Sequence, residues 1–570
     1  MSAPSATEPA SLRRVLSRAI AAEQLQRIHV EQCRRRLSAF VKFSWAALEP
    51  DTPLDWGWHI EAICDHVQWV FEEWAKKRHD PSYVMAVQNL LINIPPRCLK
   101  SRIVSVCAVA WAWLRWPSMT FICLSANPRV SSDNARACRD LITASWYRTW
   151  FQPAWQVRDD QDAVSDFALG TPNAEGGWDM LGGRKSRGWD SPITGEGADC
   201  LIPDDPHDAE EVHSKAARQH VVSRWDRAIW NRVRDLRSSI RIGVMQRLRQ
   251  DDWSGHILAA SAVDRKAPQW CHLKIPLVFK ESRACRTAMP VNDKGRYDHG
   301  SMHAWRDPRA ADGEVMDPLR FPDDVIAAER LRMGSMGFAG QMDQEPAPIV
   351  GGIFKRPWLR FFRIEDQPVD HMRPRPEGCV TRDVEPARVI PMRNGRPAFD
   401  WIDASVDCAF KKLDDGSDVS IQFIAGIGAD RFVLLDSTRP RDFNETIADM
   451  RVLLKDRPDI GRKVVEDKAN GPAVINQLRS EISGMIALNP GSDSKEARWM
   501  SCQPMVEAGN LYLLDGAPWL EEYVDQFCTV PGAGKNDRVD ATTQLIIDRQ
   551  PAAAGGGNTY STPRLLRGSR

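Results

Sequence analysis

Residues 84–126 alternate in a way that few folds accommodate. An apolar run, Leu90-Leu91-Ile92-Asn93-Ile94, breaks at Pro95-Pro96; a helix-compatible stretch continues through Trp113, and residues 119–124 form a second apolar run. Short, continuously apolar runs joined through a helix predict strands buried on both faces of an α/β sheet. With 570 residues there is room for two or three domains of ~150 residues each. Hydrophobic residues at 43% and charged residues at 27% suit packed cores and exclude a disordered chain. The 76 Lys and Arg balance the 76 Asp and Glu, so any nucleic-acid contact must rest on local basic faces. The 13 cysteines are scattered singly, which argues against a zinc cluster or a disulfide framework and for a reducing compartment. No stretch approaches the ~18 apolar residues of a membrane span, and a cytosolic protein is expected.

Residues 1–42 read as a helical segment with Arg13, Arg14, Arg18 and Arg34-Arg35-Arg36 on a solvated face or a DNA-binding arm. Residues 43–352 read as the first α/β domain, including a helix over 223–238, where Trp225, Ile229, Val233 and Leu236 recur at helical steps. An irregular connector is expected over 353–397. Residues 398–550 then show strand-like runs at 401–407, 419–427 and 431–435, a helix at 443–454 and a strand at 463–465, a pattern for a mixed sheet covered by helices. The Gly-, Ser- and Arg-rich tail, 551–570, is expected to be disordered. The 22 tryptophans are expected to act mainly as core anchors.

The segment Pro95-Pro96-Arg97-Cys98-Leu99-Lys100-Ser101 follows a buried strand and opens a helix. In that context backbone NH groups and a helix N-terminus cradle phosphates, Lys100 adds a point charge, and Ser101 can place its hydroxyl on Mg²⁺. In the G-x-x-x-x-G-K-[ST] pattern the glycines would fall at Ile94 and Leu99. Cys200-Leu201-Ile202 ends at Asp204 and Asp205, suited respectively to a metal-bound water and to orienting the attacking water. Gln246 and Arg247 end a further apolar run, where a γ-phosphate sensor belongs. Together these features predict an ATPase.

A second group of acids lies in the last third. Asp407 and Glu466 end strand-like runs, and Asp537 and Asp540 are three apart at the start of the last helix, on one face. Carboxylates converging from separate elements are what two-metal phosphodiester cleavage requires. The sequence does not rank Asp537 against Asp540. Lys468 suits charge stabilisation of a phosphate or a salt bridge to Asp467 or Glu466; Asp403, Asp436 and Asp467 lie nearby in sequence.

These motifs resemble those of the large subunit of tailed-phage DNA-packaging terminases. Residues 91–101 resemble that family's deviant Walker A loop, PPR-x-x-KS, with Cys98 where His is common and Leu99 where Gly often stands. Residues 194–207 are similar to its Walker B region, and Val244-Met245-Gln246-Arg247 looks like its coupling motif, with Gln246 for Thr. Trp58-His59 resembles the adenine-side motif, and the acids resemble SWD-x-A, IED-K-x-x-G and DD-x-VDA, with Val406 for Trp and Asn536 for the first Asp. The resemblance implies a P-loop NTPase domain followed by a ribonuclease-H-like nuclease domain. It also implies ATP, with Pro96, Arg97, Cys98, Leu99, Lys100, Ser101, Asp204, Trp58 and His59 on the nucleotide and Asp205 catalytic, and Mg²⁺ or Mn²⁺ at Asp407, Glu466, Asp537 and Asp540. The implied partners are double-stranded DNA, a portal and procapsid, a small terminase subunit and further copies in a portal-docked ring, in the cytoplasm of a bacterial host. In such a ring Arg139 suits an arginine finger or an ordinary surface helix arginine. The competing readings are a helicase or repair ATPase fused to a nuclease, and a catalytically silent docking protein of the same fold.

Overall fold

The computed structural model describes residues 10–550 apart from 210, 265, 347–351, 369, 371, 372, 409–417, 456, 468–470, 490, 492, 533 and 534. Lys468 and the tail 551–570 therefore lie outside the described residues, as do the side chains of Arg13, Arg14 and Arg18. The chain divides into two compact units, Met1–Pro348 and Ile349–Arg570. Both are α/β, as the periodicity predicts. Among the described residues no helix is long and apolar enough to cross a membrane.

The first unit is built on an eight-stranded sheet in the order Gln156–Ala163, Asp166–Pro172, Trp178–Gly188, Thr120–Ser125, Cys200–Pro203, Ile240–Met245, Asn89–Asn93, Cys271–Lys274. The last six of these strands run parallel, and the first two pair antiparallel at one edge. Asn89–Asn93 and Ile240–Met245 are buried at every residue, Asn89, Asn93 and Arg241 included, as suits strands covered on both faces. Gly243 is required by packing: a Cβ there would stand 2.4 Å from the Trp253 ring. Trp253 in turn belongs to an aromatic cluster with Trp189, Trp225 and Trp270, so these tryptophans are core anchors as expected.

The helix expected over 223–238 is instead Lys215–Arg224, capped by Ser214, followed by a π turn at Trp225–Ile229. Beyond it the backbone leaves the helix to pair with a strand approach: Val233 bridges Ala198, and Arg234 NH donates to the Ala198 carbonyl at 2.9 Å. Tertiary pairing rather than helix continuation satisfies the apolar spacing there. The boundary expected after residue 42 falls inside the helix Leu37–Leu48, whose Leu37, Phe40 and Val41 join the core. Arg34 and Arg36 donate to the Phe151 and Tyr297 carbonyls, both at 2.7 Å, so these two side chains tie the helix down rather than forming an arm.

The second unit has its own eight-stranded sheet, ordered Arg388–Ile390, Arg360–Ile364, Leu511–Leu514, Asp430–Arg439, Val419–Ile427, Trp401–Asp407, Lys463–Glu466, Met485–Leu488. Asp430–Arg439, Val419–Ile427 and Trp401–Asp407 are antiparallel neighbours, and the remaining pairings are parallel. The stretch 353–397 expected as an irregular connector contributes strands to this sheet. Phe361 and Phe362 alternate onto opposite faces and enter separate core clusters, which holds that segment in place. Phe443–Leu454 begins with a capping box between Asp442 and Glu445.

The closing helix, Asp537–Asp548, is pinned across the central strands by buried polar bonds. Gln544 Nε2 donates to Ser405 Oγ at 2.7 Å and to the Val406 carbonyl at 3.1 Å. Thr542 Oγ1 donates to Gln422 Oε1 at 2.8 Å, and Gln422 Nε2 to the Arg538 carbonyl at 3.0 Å. Such a satisfied network fixes one register of the helix over the sheet.

Candidate active sites

In the first unit the chain leaves Asn89–Asn93 into a loop and re-enters a helix at Lys100. Asn93 anchors the loop's base: its Nδ2 donates to the Met245 carbonyl and Ser254 Oγ, both at 3.0 Å, and its Oδ1 lies 2.8 Å from His272 Nε2. Burial lowers His272 to about 3, so the ring is neutral and serves as a donor. Arg97 and Leu99 have φ of 63° and 61°. Left-handed backbone at a residue bearing a Cβ costs about 1–3 kcal/mol and persists where a loop is over-determined by its surroundings. Leu99 holds the position where the phosphate-loop pattern has glycine. A π turn, Arg102–Cys107, follows immediately, a feature frequent at functional sites.

Lys100 is buried, and its Nζ lies 2.9 Å from Asp205 Oδ2. Ser101 Oγ donates to Asp204 Oδ1 at 2.8 Å, and Ser105 Oγ to Asp204 Oδ2 at 2.7 Å. Burial, then the charge of Asp205, raises Asp204 to about 6, against the hydroxyl donors and Lys100. Asp205 has a left-handed φ of 46° and accepts the Gln246 NH at 3.3 Å. Thus the loop and the acid pair, separated in the sheet by Ile240–Met245, meet at one edge with Gln246, at the carboxyl ends of parallel strands where α/β sheets bind ligands.

Arg247 is not directed to this acid pair. Its Nε bonds both carboxylate oxygens of Asp252 at 3.0 Å, so it braces the loop before the helix Trp253–Val263. Arg139 is held by both carboxylate oxygens of Asp162. Trp58 and His59 open the helix Trp58–His79; Gly57 caps it because a Cβ there would stand 2.5 Å from the His59 ring. Burial lowers His59 to about 4, with Asp317, Arg320 and Arg309 around it. Arg320 donates to the Arg97 carbonyl, which ties the Trp58-His59 corner to the phosphate loop, and Arg309 lies 5.0 Å from the Trp58 ring. Sequence reasoning missed Arg309 and Arg320. Their signal was an Asp-Pro turn ahead of each, with the Arg two residues after the Asp in Asp307-Pro308-Arg309 and three after it in Asp317-Pro318-Leu319-Arg320.

In the second unit Asp407 and Glu466 end the neighbouring strands Trp401–Asp407 and Lys463–Glu466, while Asp537 and Asp540 occupy the first turn of the closing helix. Negative charge is favoured at that helix end. Burial, and after it the charges of Asp540 and Glu466, pushes the Asp407 carboxyl well above the carboxylate range; Lys495 opposes them. Burial also raises Asp537, opposed by the Asp418 NH, which donates to its Oδ2 at 3.4 Å. Asp540 accepts from Trp499 Nε1 at 2.8 Å and from the Lys495 ammonium. Arg498 approaches Glu466 at 3.7 Å.

Among the described residues no three His, Cys, Asp or Glu side chains form a ready-made metal site. Asp540 is paired with the Lys495 ammonium instead. Nevertheless Asp407 Oδ2 is buried and has no hydrogen-bond partner, and a buried carboxyl oxygen without a partner is the kind of group that a divalent cation, taking the place of the proton, satisfies. The donor set, all carboxylate, suits Mg²⁺ or Mn²⁺. Asp403 and Asp436 are otherwise engaged: Asp403 holds Arg549 at 2.8 Å, and Asp436 holds Arg538 at 2.9 Å. Asp467 is exposed. Lys495, Arg498 and Trp499 were not singled out from sequence, because nothing in their spacing distinguishes them from any amphipathic helix.

Residues 404–549 match the family model of the Terminase RNaseH-like domain. No curated protein matches the chain. Among solved structures, a large terminase from a thermophilic bacteriophage is similar at 10% identity, over 84% of this chain and 98% of that one, with a TM-score of 0.41. The HK97 bacteriophage large terminase is similar at 11% identity, over 90% and 99%, with a TM-score of 0.32. The large terminase nuclease from thermophilic phage G20c with bound magnesium is similar at 12% identity, over 35% and 98%, with a TM-score of 0.24. With the family match spanning its central strands, its acids and its closing helix, the second unit contains a terminase RNase H-like domain.

Proposed function

We propose that this chain is the large subunit of a tailed-phage DNA-packaging terminase: an ATP-driven motor that moves double-stranded viral DNA into a procapsid, joined to a metal-dependent endonuclease that cuts it. The observation that carries this reading is one chain holding both a Lys-Ser loop against an Asp-Asp strand end and the acid cluster of a terminase RNase H-like domain.

In the motor, ATP replaces carboxylates as the partner of the loop. Lys100 leaves Asp205 for the phosphates, the loop NH groups and helix start cradle them, and Ser101 and Asp204 hold the nucleotide's Mg²⁺. Asp205, released from Lys100, orients the attacking water. Gln246, bonded through its NH to Asp205, reports hydrolysis to the helix that begins at Trp253. Trp58 and His59 face the base. Arg139 reaches a neighbouring subunit's nucleotide only after giving up Asp162.

In the nuclease, Asp407, Glu466, Asp537 and Asp540 hold the divalent ions, which supply an activated water and stabilise the leaving oxygen when bound. The protein's own part is to fix these acids on two strand ends and one helix turn. Portal, procapsid, small subunit and a ring of copies in the host cytoplasm are the partners and setting this function entails.

The two activities separate by mutation. Lys100→Ala is expected to abolish ATP turnover and leave plasmid cleavage in Mn²⁺ intact; Glu466→Ala is expected to do the reverse. Unchanged ATP turnover in the first, or full cutting in the second, overturns the corresponding assignment.

A further inference from the structure

The helix Lys495–Glu507 presents its first turns to the acid cluster. Lys495 is its first residue, a position where the helix dipole disfavours a cation, and its side chain is 46% exposed while that of Asp540 is 2% exposed. Helix electrostatics and burial do not explain why this ammonium reaches inward. Its partners do: it donates to Asp540 Oδ2 and, at 3.0 Å, to Asn536 Oδ1. One turn later, Trp499 Nε1 holds the other oxygen of Asp540. Neither Lys495 nor Arg498 supplies a donor to Asp407 Oδ2, which remains buried without a partner.

We propose that Lys495 is a resident counter-cation of the nuclease site, which holds Asp540 in the metal-free protein and must release it when a divalent ion binds, thereby setting the site's affinity for that ion. This rests on reading Asp540 and Asp407 as cation ligands. The half-exposed side chain can swing to solvent without opening the core. Trp499 keeps Asp540 in place while it does so. The same helix brings Arg498, whose Nε and one terminal nitrogen are buried without hydrogen-bond partners, beside Glu466, so positive charge remains near the acids after Lys495 leaves.

The test is calorimetric titration of the full-length protein with Mn²⁺ alone, comparing the parent with Lys495→Met, Lys495→Arg and Asp407→Asn. Removing a charge-assisted hydrogen bond that competes with the ion is expected to lower the dissociation constant about tenfold in Lys495→Met. Lys495→Arg, which keeps the charge, is expected to bind less tightly than Lys495→Met. Asp407→Asn identifies the binding that belongs to this site. If it binds Mn²⁺ as the parent does, the acids are not the ligands and the underlying reading fails. If it loses that binding while Lys495→Met binds no more tightly than the parent, only the counter-cation role is overturned.

Discussion

Asp407→Asn should make the metal-free protein more stable and the metal-loaded protein less so. Asp407 is 1% exposed, its Oδ2 accepts no hydrogen bond, and Asp540 and Glu466 crowd it with like charge. A buried polar atom left without a partner costs about 1–3 kcal/mol, more when charged. Asparagine keeps the shape and cannot ionise, so in EDTA the variant escapes the cost of holding this carboxyl protonated and is expected to gain about 1.4 kcal/mol for each pH unit above the ordinary carboxylate pKa, up to the raised one. For a unit of this size each kcal/mol moves the melting temperature about 2–4 °C. Ligand linkage works in the opposite sense: Mn²⁺ at about 100 times its dissociation constant adds about 2.7 kcal/mol to the parent, and little to a variant that lacks the central ligand. Scanning calorimetry in EDTA and in Mn²⁺ should therefore show the two melting temperatures exchange order. A variant that melts below the parent in EDTA, or that gains as much from Mn²⁺, refutes the argument that this carboxylate is strained until a cation arrives.

Two further outcomes test the first unit. Asp204 is raised to about 6, so it is protonated below that pH and loses the negative charge that its proposed place at the nucleotide's metal requires; kcat/KM for ATP should fall about tenfold per unit below pH 6, and an acid limb centred near pH 4 would exclude Asp204 as the responsible group. Gly243→Ala places a Cβ 2.4 Å from the Trp253 ring, so overpacking should destabilise the unit by about 1–3 kcal/mol in denaturant unfolding; a change within about 0.5 kcal/mol would show that Trp253 yields freely.

What could be read before folding was what depends on local pattern. The strands at Trp401–Asp407 and Val419–Ile427 and the helix Phe443–Leu454 match their expected limits because burial pattern, turn residues and the Asp442 cap agree. The acids stood out because each terminates an apolar run or opens the last helix. What was illegible depends on partners distant in sequence. Ser405, Gln422 and Gln544 look like ordinary polar residues until the closing helix lies across the central strands. Residues 230–238 carry helical spacing, yet their pairing with Ala198 overrides it. Phe361 and Phe362 sit in a segment rich in Pro, Gly and Arg, and that composition masked the strand they form.

The two sites share an electrostatic design that neither motif alone reveals. In the first unit Lys100 binds Asp205, and in the second Lys495 binds Asp540; each acid lies at the end of a buried strand or the start of a helix, beside a second acid raised by burial, Asp204 in one case and Asp407 in the other. An ammonium can neutralise one carboxylate but cannot satisfy two acids with the geometry of a divalent ion, so in each unit burial raises the second acid toward its protonated form. That condition favours exchange. On the proposed function, the lysine of the first unit would move to the incoming phosphates while the acids keep the nucleotide's metal; in the second the lysine would withdraw and the acids take the ions themselves. The difference follows from burial: Lys100 is enclosed and stays to become part of the bound state, whereas Lys495 is half-exposed and has solvent to retreat into. Replacing Lys100 should therefore weaken ligand binding at its site, while replacing Lys495 should strengthen it.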